Sequence, residues 1–250
     1  MTTRTGAAGA LGPGEAHVWY GATDSLTHER VRRLSATLSP DERIKADLFR
    51  FPADRRDYIA AHALLRASLS NGYPLAPRDW EFIIDARGKP RVANPPDGLR
   101  AFSLSHTRGF VAISIATMPA IGVDVECIDR RIGVSEMAQS CCSDAEANRV
   151  AAANSAEAHF FELWTLKEAY VKAVGTGLSH QLRDISFDIF EGVIDPSVRA
   201  IEPAWRFAVY APTARVRLAV AANAGSENCS RLVLHGDDAP LIASTRNWKR

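Results

Sequence analysis

Asp124 and Glu126 stand two residues apart in the run IGVDVECI, residues 121–128. On a strand that spacing sends both carboxylates out of one face, while Val123 and Val125 anchor the other face in a core. Two carboxylates side by side repel unless something positive lies between them. A hard divalent cation such as Mg²⁺ fits, since it takes a few carboxylate oxygens, keeps waters and finds further ligands on substrate phosphates. A solvated sheet face that carries two acids is the plainer alternative, and the pair alone does not choose. The segment FFELWTLKEAYVKAVGTGLS, residues 160–179, offers a second constellation. On a helix, Trp164, Glu168 and Lys172 form one ridge at i, i+4 and i+8, and Phe160, Phe161, Leu163, Val171 and Val174 supply apolar surface. Glu168 before Lys172 also suits a helix-stabilising ion pair of about 0.2–0.5 kcal/mol, so this segment taken alone reads as an amphipathic helix. The functional reading gives the carboxylate a metal or a proton and the ammonium a phosphate oxygen. The third constellation is Ser103-Leu104-Ser105-His106 at a strand end, where Phe102 and Leu104 alternate with the serines. A lone histidine is more often structural than catalytic, but hydroxyls and an imidazole clustered there suit phosphate contacts.

These groups need elements to hold them. AHVWYGA alternates like a first strand; a helix follows over roughly 27–38, and Ser39-Pro40-Asp41-Glu42 caps a second. Pro52 interrupts that helix, and a third runs through DRRDYIAAHALLRASLS to Asn71-Gly72. WEFIID, GKPRV, FSLSH and GFVAISIAT read as strands before Met118-Pro119 breaks the pattern. IGVDVECI begins again, a helical pattern spans about 135–174 and ends at Gly175-Thr176-Gly177, and ISFDIF, WRFAVYA and RVRLAVAA are strands. The order strand, helices, strands occurs twice. The expected fold is therefore α+β, two similar halves meeting near residues 118–120: a flexible arm over 1–14, an N-terminal half over 15–119, a C-terminal half over 120–224 and a peripheral tail over 225–250.

Composition narrows the classes. With 250 residues, 46% hydrophobic and 24% charged, the chain is ordinary globular protein. A net charge of +1 argues against a general nucleic-acid binder. No stretch approaches a bilayer span, and the N-terminus lacks the apolar core of a signal peptide. Cys127, Cys141, Cys142 and Cys229 show no metal-finger spacing and read as free thiols in a reducing cytoplasm. There is no P-loop, no dinucleotide fingerprint and no G-x-S-x-G serine elbow. Only five lysines stand among 30 basic residues: Lys45, Lys89, Lys167, Lys172 and Lys249.

FSLSHT at 102–107, IGVDVECI at 121–128 and FELWTLKEAYVKAVGTGLS at 161–179, in this order, resemble the surfactin-synthetase-activator type of 4′-phosphopantetheinyl transferase. Weaker agreement at 39–66, at GKP 88–90 and at RLAVAA 217–222 extends the resemblance over most of the chain. It implies a pseudo-twofold pair of α+β halves with coenzyme A in the cleft between them. It also implies transfer of phosphopantetheine from coenzyme A to a serine of an apo carrier protein (acyl, polyketide or peptidyl), with release of adenosine 3′,5′-bisphosphate. By the same resemblance Asp124, Glu126 and Glu168 hold Mg²⁺, or Mn²⁺ in its place; Glu168 is the base, Lys172 neutralises a phosphate, and Asp124, Glu168 and Lys172 are the catalytic set. Coenzyme A then meets Lys45, Arg50, Lys89, Pro90, Ser105, His106, Lys167 and Lys172, so that four of the five lysines serve one site. Glu42 stands near a position that is lysine in some relatives and Pro52 interrupts a stretch that is often basic, where Arg43, Arg50, Arg55 or Arg56 could substitute. Carrier docking is expected between Ile132 and Ala158, with the protein a cytoplasmic monomer that binds neither membrane nor nucleic acid. A Mg²⁺-dependent nuclease or phosphodiesterase and a non-catalytic carrier-binding relative are the competing readings.

Overall fold

Capping chemistry explains where most of the helices begin. The computed structural model describes residues 11–86, 88–128, 133–175, 182–190, 193–196, 204–225, 231–236 and 241–244. Strand β1 (Glu15–Ala22) leads into α1 (His28–Ser35), capped by the Thr27 side chain accepting from the Arg30 N–H. Ser39 and Glu42 form a reciprocal capping box at the start of α2 (Pro40–Asp47). Pro40 and Pro52 occupy first-turn positions where a missing N–H is harmless, so Pro52 opens α3 (Pro52–Gly72). A small hairpin of β2 (Phe82–Ile84) and β3 (Pro90–Val92) precedes β4 (Ala101–Thr107), β5 (Phe110–Ala116) and β6 (Ala120–Cys127). The helical pattern expected over 135–174 resolves into three helices, because Ser143 and Ser155 each cap a new one: α4 (Val134–Cys141), α5 (Asp144–Ala152) and α6 (Ala156–Val174). Gly175 ends α6 at φ 78°, a left-handed cap that a side chain would strain; Thr176 and Gly177 lie outside the described residues. Strands β7 (Phe187–Phe190), β8 (Val193–Pro196), β9 (Trp205–Thr213), β10 (Val216–Asn223), β11 (Arg231–His235) and β12 (Leu241–Ser244) complete the chain.

The strands build a four-stranded sheet, β11-β1-β5-β4, and a six-stranded sheet, β6-β10-β9-β12-β8-β7. Alternation assigns their faces. Val18, Tyr20 and Ala112 of the first sheet share one buried cluster with Val123, Val125, Leu218 and Val220 of the second, so the sheets face each other. On its outer face the first sheet carries α3, through Leu65 and Leu69 against Phe102, Ile113 and Ile115. On its outer face the second carries α6, through Leu163, Leu166 and Ala169 against Phe207, Ala219 and Ala221. The fold is mixed α+β, as the alternating patterns predict. Among the described residues no helix is long and apolar enough to cross a membrane.

Both ends of the chain differ from expectation. The tail read as peripheral supplies β11, which runs parallel to β1 with Leu232 buried, and β12, which sits between β9 and β8. β11 covers the edge of β1, and β12 links β9 to β8 within its sheet, so each pairs backbone groups that would otherwise lack partners. Residues 1–10 of the expected arm lie outside the described residues, but 11–14 are pinned. Leu11 packs on the α3 core, and the Thr117 hydroxyl donates to the Gly12 carbonyl.

Candidate active site

The second sheet ends in an edge. β6 pairs with β10 on one side only, so the N–H groups of Val123 and Val125 point away from their own sheet. Two hydroxyls of β4 meet them: Ser103 Oγ accepts from Val123 N at 3.2 Å and Ser105 Oγ from Val125 N at 3.4 Å. On the opposite flank of β6, Gly122 lets α6 press directly onto the strand. A Cβ there would lie 1.9 Å from the Ala169 carbonyl oxygen and 2.6 Å from the Ala173 nitrogen. That close approach brings Glu168 and Lys172, the neighbours of Ala169 and Ala173, beside Asp124.

Asp124 is 4% exposed. Its Oδ1 accepts from Ser105 Oγ at 2.8 Å and from Lys172 Nζ at 2.6 Å, and Lys172 also donates to Ser105 Oγ at 2.9 Å. Oδ2 is buried with no hydrogen-bond partner. A buried carboxylate oxygen left bare costs about 1–3 kcal/mol or more and calls for an explanation. Glu126, on the same face, accepts from Thr107 Oγ1 at 3.2 Å. Burial raises the Glu168 carboxyl above the ordinary range; the charges of Asp124 and Glu126 add to that, and Lys172 opposes it. Among the described residues no three carboxylate, imidazole or thiol groups are gathered into a ready metal cage. The donor set nevertheless fits a hard cation: oxygen ligands only, one of them orphaned, and mutual repulsion that a cation would relieve.

The expected coenzyme A contacts divide. Lys172 meets Asp124 directly, whereas His106 alternates with Ser105 and stands on the other face of β4, toward α3, with Phe102 and Leu104. Although its surface is open to solvent, the surrounding protein partly desolvates the His106 imidazole and lowers its proton affinity; His62 and Lys172 push the same way, and Asp57 and Asp54 oppose. From there a line of polar groups continues outward, with the His62 ring 4.1 Å from that of Tyr58 and Lys45 Nζ 5.6 Å above Tyr58. Arg50 lies over the Phe51 ring. Lys89 donates to the carbonyls of Ala173 at 2.9 Å and Ile121 at 3.3 Å, satisfying the last turn of α6. Burial lowers its ammonium to about 8, helped by Arg91 and opposed by Asp85. Pro90 lines a small cavity with Lys89, Leu99 and Phe102.

Two expected contacts are engaged inside the protein. Lys167 is fully buried on the far side of α6, its ammonium bound to Glu146 Oε2 at 2.7 Å and to the carbonyls of Cys141, Leu182 and Ile185. An ammonium has three protons, and all are engaged in the core. Ser105 Oγ likewise gives its one proton to Asp124 and takes two, from Lys172 and Val125, which fills a hydroxyl's capacity before any phosphate arrives. The lysine argument thus loses one of its four members.

Glu42 stays charged in the interior. Burial favours its neutral form, but hydrogen bonds from His62, Arg66 and the Ser39 N–H prevail and hold the carboxyl at about 2. Arg66, 1% exposed, continues to the carbonyls of Pro77 and Trp80. Of the arginines offered as substitutes, Arg55 pairs with Asp47, Arg56 with Asp24 and Asp57, and Arg43 donates to the Leu38 carbonyl.

Sequence reasoning missed two neighbours of the site and, away from it, the buried partner of Lys167. Thr107 continues the alternation of Ser103 and Ser105, a signal that was available. Arg217 lies opposite Glu126 in the β6–β10 ladder and pairs with Glu162 at 3.1 Å; a charged residue inside RLAVAA was its signal. Glu146, the partner of Lys167, gave no functional signal, since its capping-box role accounts for it locally.

Comparison with known proteins gives a consistent set of similarities. The profile of the 4′-phosphopantetheinyl transferase superfamily matches residues 120–221. The 4′-phosphopantetheinyl transferase HetI of Nostoc sp. is 29% identical over 211 residues, covering 83% of this chain and 87% of the relative. The 4′-phosphopantetheinyl transferase Sfp of Bacillus subtilis is 30% identical over 163 residues, covering 64% and 70%. A solved structure, the holo-[acyl-carrier-protein] synthase of Thermotoga maritima, is similar over 41% of this chain and 61% of its own, at 22% identity and a TM-score of 0.36.

Proposed function

The chain belongs to the 4′-phosphopantetheinyl transferase superfamily and transfers phosphopantetheine to carrier proteins, and from that premise we propose how its residues divide the work. The donor is coenzyme A, and the acceptor is a serine hydroxyl of an apo acyl, polyketide or peptidyl carrier protein. The observation that carries the assignment is the buried Asp124 carboxylate, one oxygen clamped by Ser105 and Lys172 and the other bare, beside a Glu168 of raised proton affinity.

Asp124, Glu126 and Glu168 are the residues that would hold Mg²⁺, or Mn²⁺ in its place. When bound, the metal supplies charge neutralisation at the pyrophosphate. The remaining steps belong to side chains. The carrier serine oxygen forms a bond to the β-phosphorus as the phosphoanhydride bond on its far side breaks. The electron pair leaves with adenosine 3′,5′-bisphosphate, and the hydroxyl proton passes to a Glu168 carboxylate oxygen. A carboxyl whose affinity for a proton lies above the ordinary range is the better acceptor near neutral pH. The Lys172 ammonium, about a third exposed, faces the opening and can neutralise a phosphate oxygen as charge develops. His106, Lys45, Arg50, Lys89 and Pro90 line the coenzyme's path, and His62 adds a group to that line.

Residues 15–119 and 120–224 are taken as two halves whose seam at β4 and β6 carries the site. The catalytic side chains all come from one chain, which supports a self-sufficient monomer. Cys141 and Cys142 are buried free thiols, which supports a reducing, cytoplasmic setting. The carrier-docking stretch of 132–158 begins on a residue outside the described ones; its remainder holds α4, α5 and the first turn of α6. Family membership removes the ground for the nuclease reading.

The test is intact mass spectrometry of an apo carrier protein with coenzyme A, Mg²⁺ and either wild type or Glu168→Gln. Wild type is expected to add one phosphopantetheinyl group, and EDTA to prevent it. Glu168→Gln is expected to lose about 10²–10⁴-fold in turnover while calorimetry still detects coenzyme A binding. Turnover near wild type would remove Glu168 from the chemistry.

A further inference from the structure

The β4 hydroxyls lie on one face at a spacing of two: Ser103, Ser105 and Thr107. Each reaches across to β6, in step with that strand's own period. Ser103 takes the Val123 N–H and nothing else on β6; Ser105 takes the Val125 N–H and donates to Asp124 Oδ1; Thr107 donates to Glu126 Oε2. Ser103 and Ser105 thus stand in for the backbone partner strand that the edge of the second sheet lacks. Two of the three also set the direction of a carboxylate. Because Ser105 and Lys172 occupy Oδ1 together, Asp124 cannot turn without losing both bonds, and Oδ2 stays buried without a partner.

We propose that Ser105 and Thr107 are positioning residues for the two strand carboxylates, one hydroxyl for each acid, and that Ser103 is the purely structural rung of the same ladder. This rests on the assignment of Asp124 and Glu126 as cation ligands. The side chains around the ladder are Lys172 and Glu168 from α6 and Arg217 from β10, and none of them replaces the Thr107 or Ser105 donor in its observed bond. A hydroxyl that orients a metal-binding carboxylate acts on cation affinity, whereas one that contacts the nucleotide acts on coenzyme A affinity. The two roles are therefore separable by measurement.

The experiment uses the full chain and Mn²⁺ alone, with bound and free metal separated by electron paramagnetic resonance, and coenzyme A KM measured in saturating metal. Ser105→Ala and Thr107→Val are each expected to weaken Mn²⁺ binding about 10-fold or more, with coenzyme A KM within about twofold of wild type. Thr107→Ser keeps the hydroxyl and is expected to keep the affinity. Ser103→Ala is expected to lower the melting temperature and leave Mn²⁺ affinity within about twofold. A rise in coenzyme A KM with unchanged Mn²⁺ affinity in Ser105→Ala would overturn the positioning role and restore the nucleotide contact. Equal losses of Mn²⁺ affinity in all three deletions would reduce the ladder to general support of the strand. If Ser105→Ala does not fold, Thr107→Val and Thr107→Ser decide the matter alone. Wild type that binds no Mn²⁺ would refute the ligand assignment itself, an outcome distinct from variants that match a metal-binding wild type.

Discussion

Replacing Lys167 by methionine tests whether this motif lysine serves the interior or the ligand. The side chain is fully buried, as is its partner Glu146, and its ammonium holds the carbonyls of Cys141, Leu182 and Ile185 as well. Methionine matches the length of the stem and removes the charge. Glu146 keeps two backbone donors, Ser143 N at 2.7 Å and Phe187 N at 2.9 Å, but its charge is left without a counter-ion. Breaking a buried pair from one side costs about 3–5 kcal/mol, against about 0.5 kcal/mol for most surface changes. In a chain of this size each kcal/mol moves the melting temperature by about 2–4 °C, so the expected loss is roughly 6–20 °C. Adding Glu146→Gln removes the stranded charge, and the double variant is expected to recover part of the loss, a coupling that a double-mutant cycle reads directly. Circular-dichroism melting supplies the stabilities, and kinetics well below the transition supplies KM for coenzyme A, expected within about twofold of wild type. A Lys167→Met protein that melts like wild type but binds coenzyme A 10-fold more weakly would refute this reasoning.

Gly122→Ala places a methyl against helix backbone, at 1.9 Å from the Ala169 oxygen, which no side-chain rotation relieves. A loss of about 1–3 kcal/mol is expected, together with a fall in kcat, because Glu168 and Lys172 ride on the displaced helix; unchanged melting and turnover would show that α6 does not depend on that contact. At the other edge of the first sheet, His17 Nδ1 lies 2.9 Å from His235 Nε2, with Glu15 on His17 Nε2, Arg231 on Glu15, and Trp19 stacked on His235. Burial pushes His235 down from 6.5 to about 4, and His17 adds to the effect. The unfolded chain therefore binds this proton first, so stability is expected to fall as pH drops from about 6.5 to about 4. His235→Gln should flatten that part of the denaturation-midpoint profile; an unchanged slope would show that the pair does not contribute.

Much of the site was legible because its signals are local. Asp124 and Glu126 share a face through the two-residue period of a strand, and Trp164, Glu168 and Lys172 share a ridge through the helical period. All three ridge residues are half-buried, as that spacing requires. The capping residues Ser39 and Gly175 announce their helix ends for the same reason. The burial of Lys167 was not legible because a motif position carries no information about which side of a helix meets the core. That is settled by Glu146, 21 residues earlier, and by carbonyls on other segments.

What the sequence determined by itself is the kind of chemistry and the elements that carry it, since residue type and short-range periodicity suffice for both. Tertiary structure alone decided which polar groups are spent inside the fold. Ser105 meets Asp124 and Lys172 across 19 and 67 residues, and β1 meets β11 with His17 and His235 separated by 218. No local pattern reports such pairings. They follow from the need of every buried donor and every sheet edge for a partner, and only the packed chain shows which partner that is.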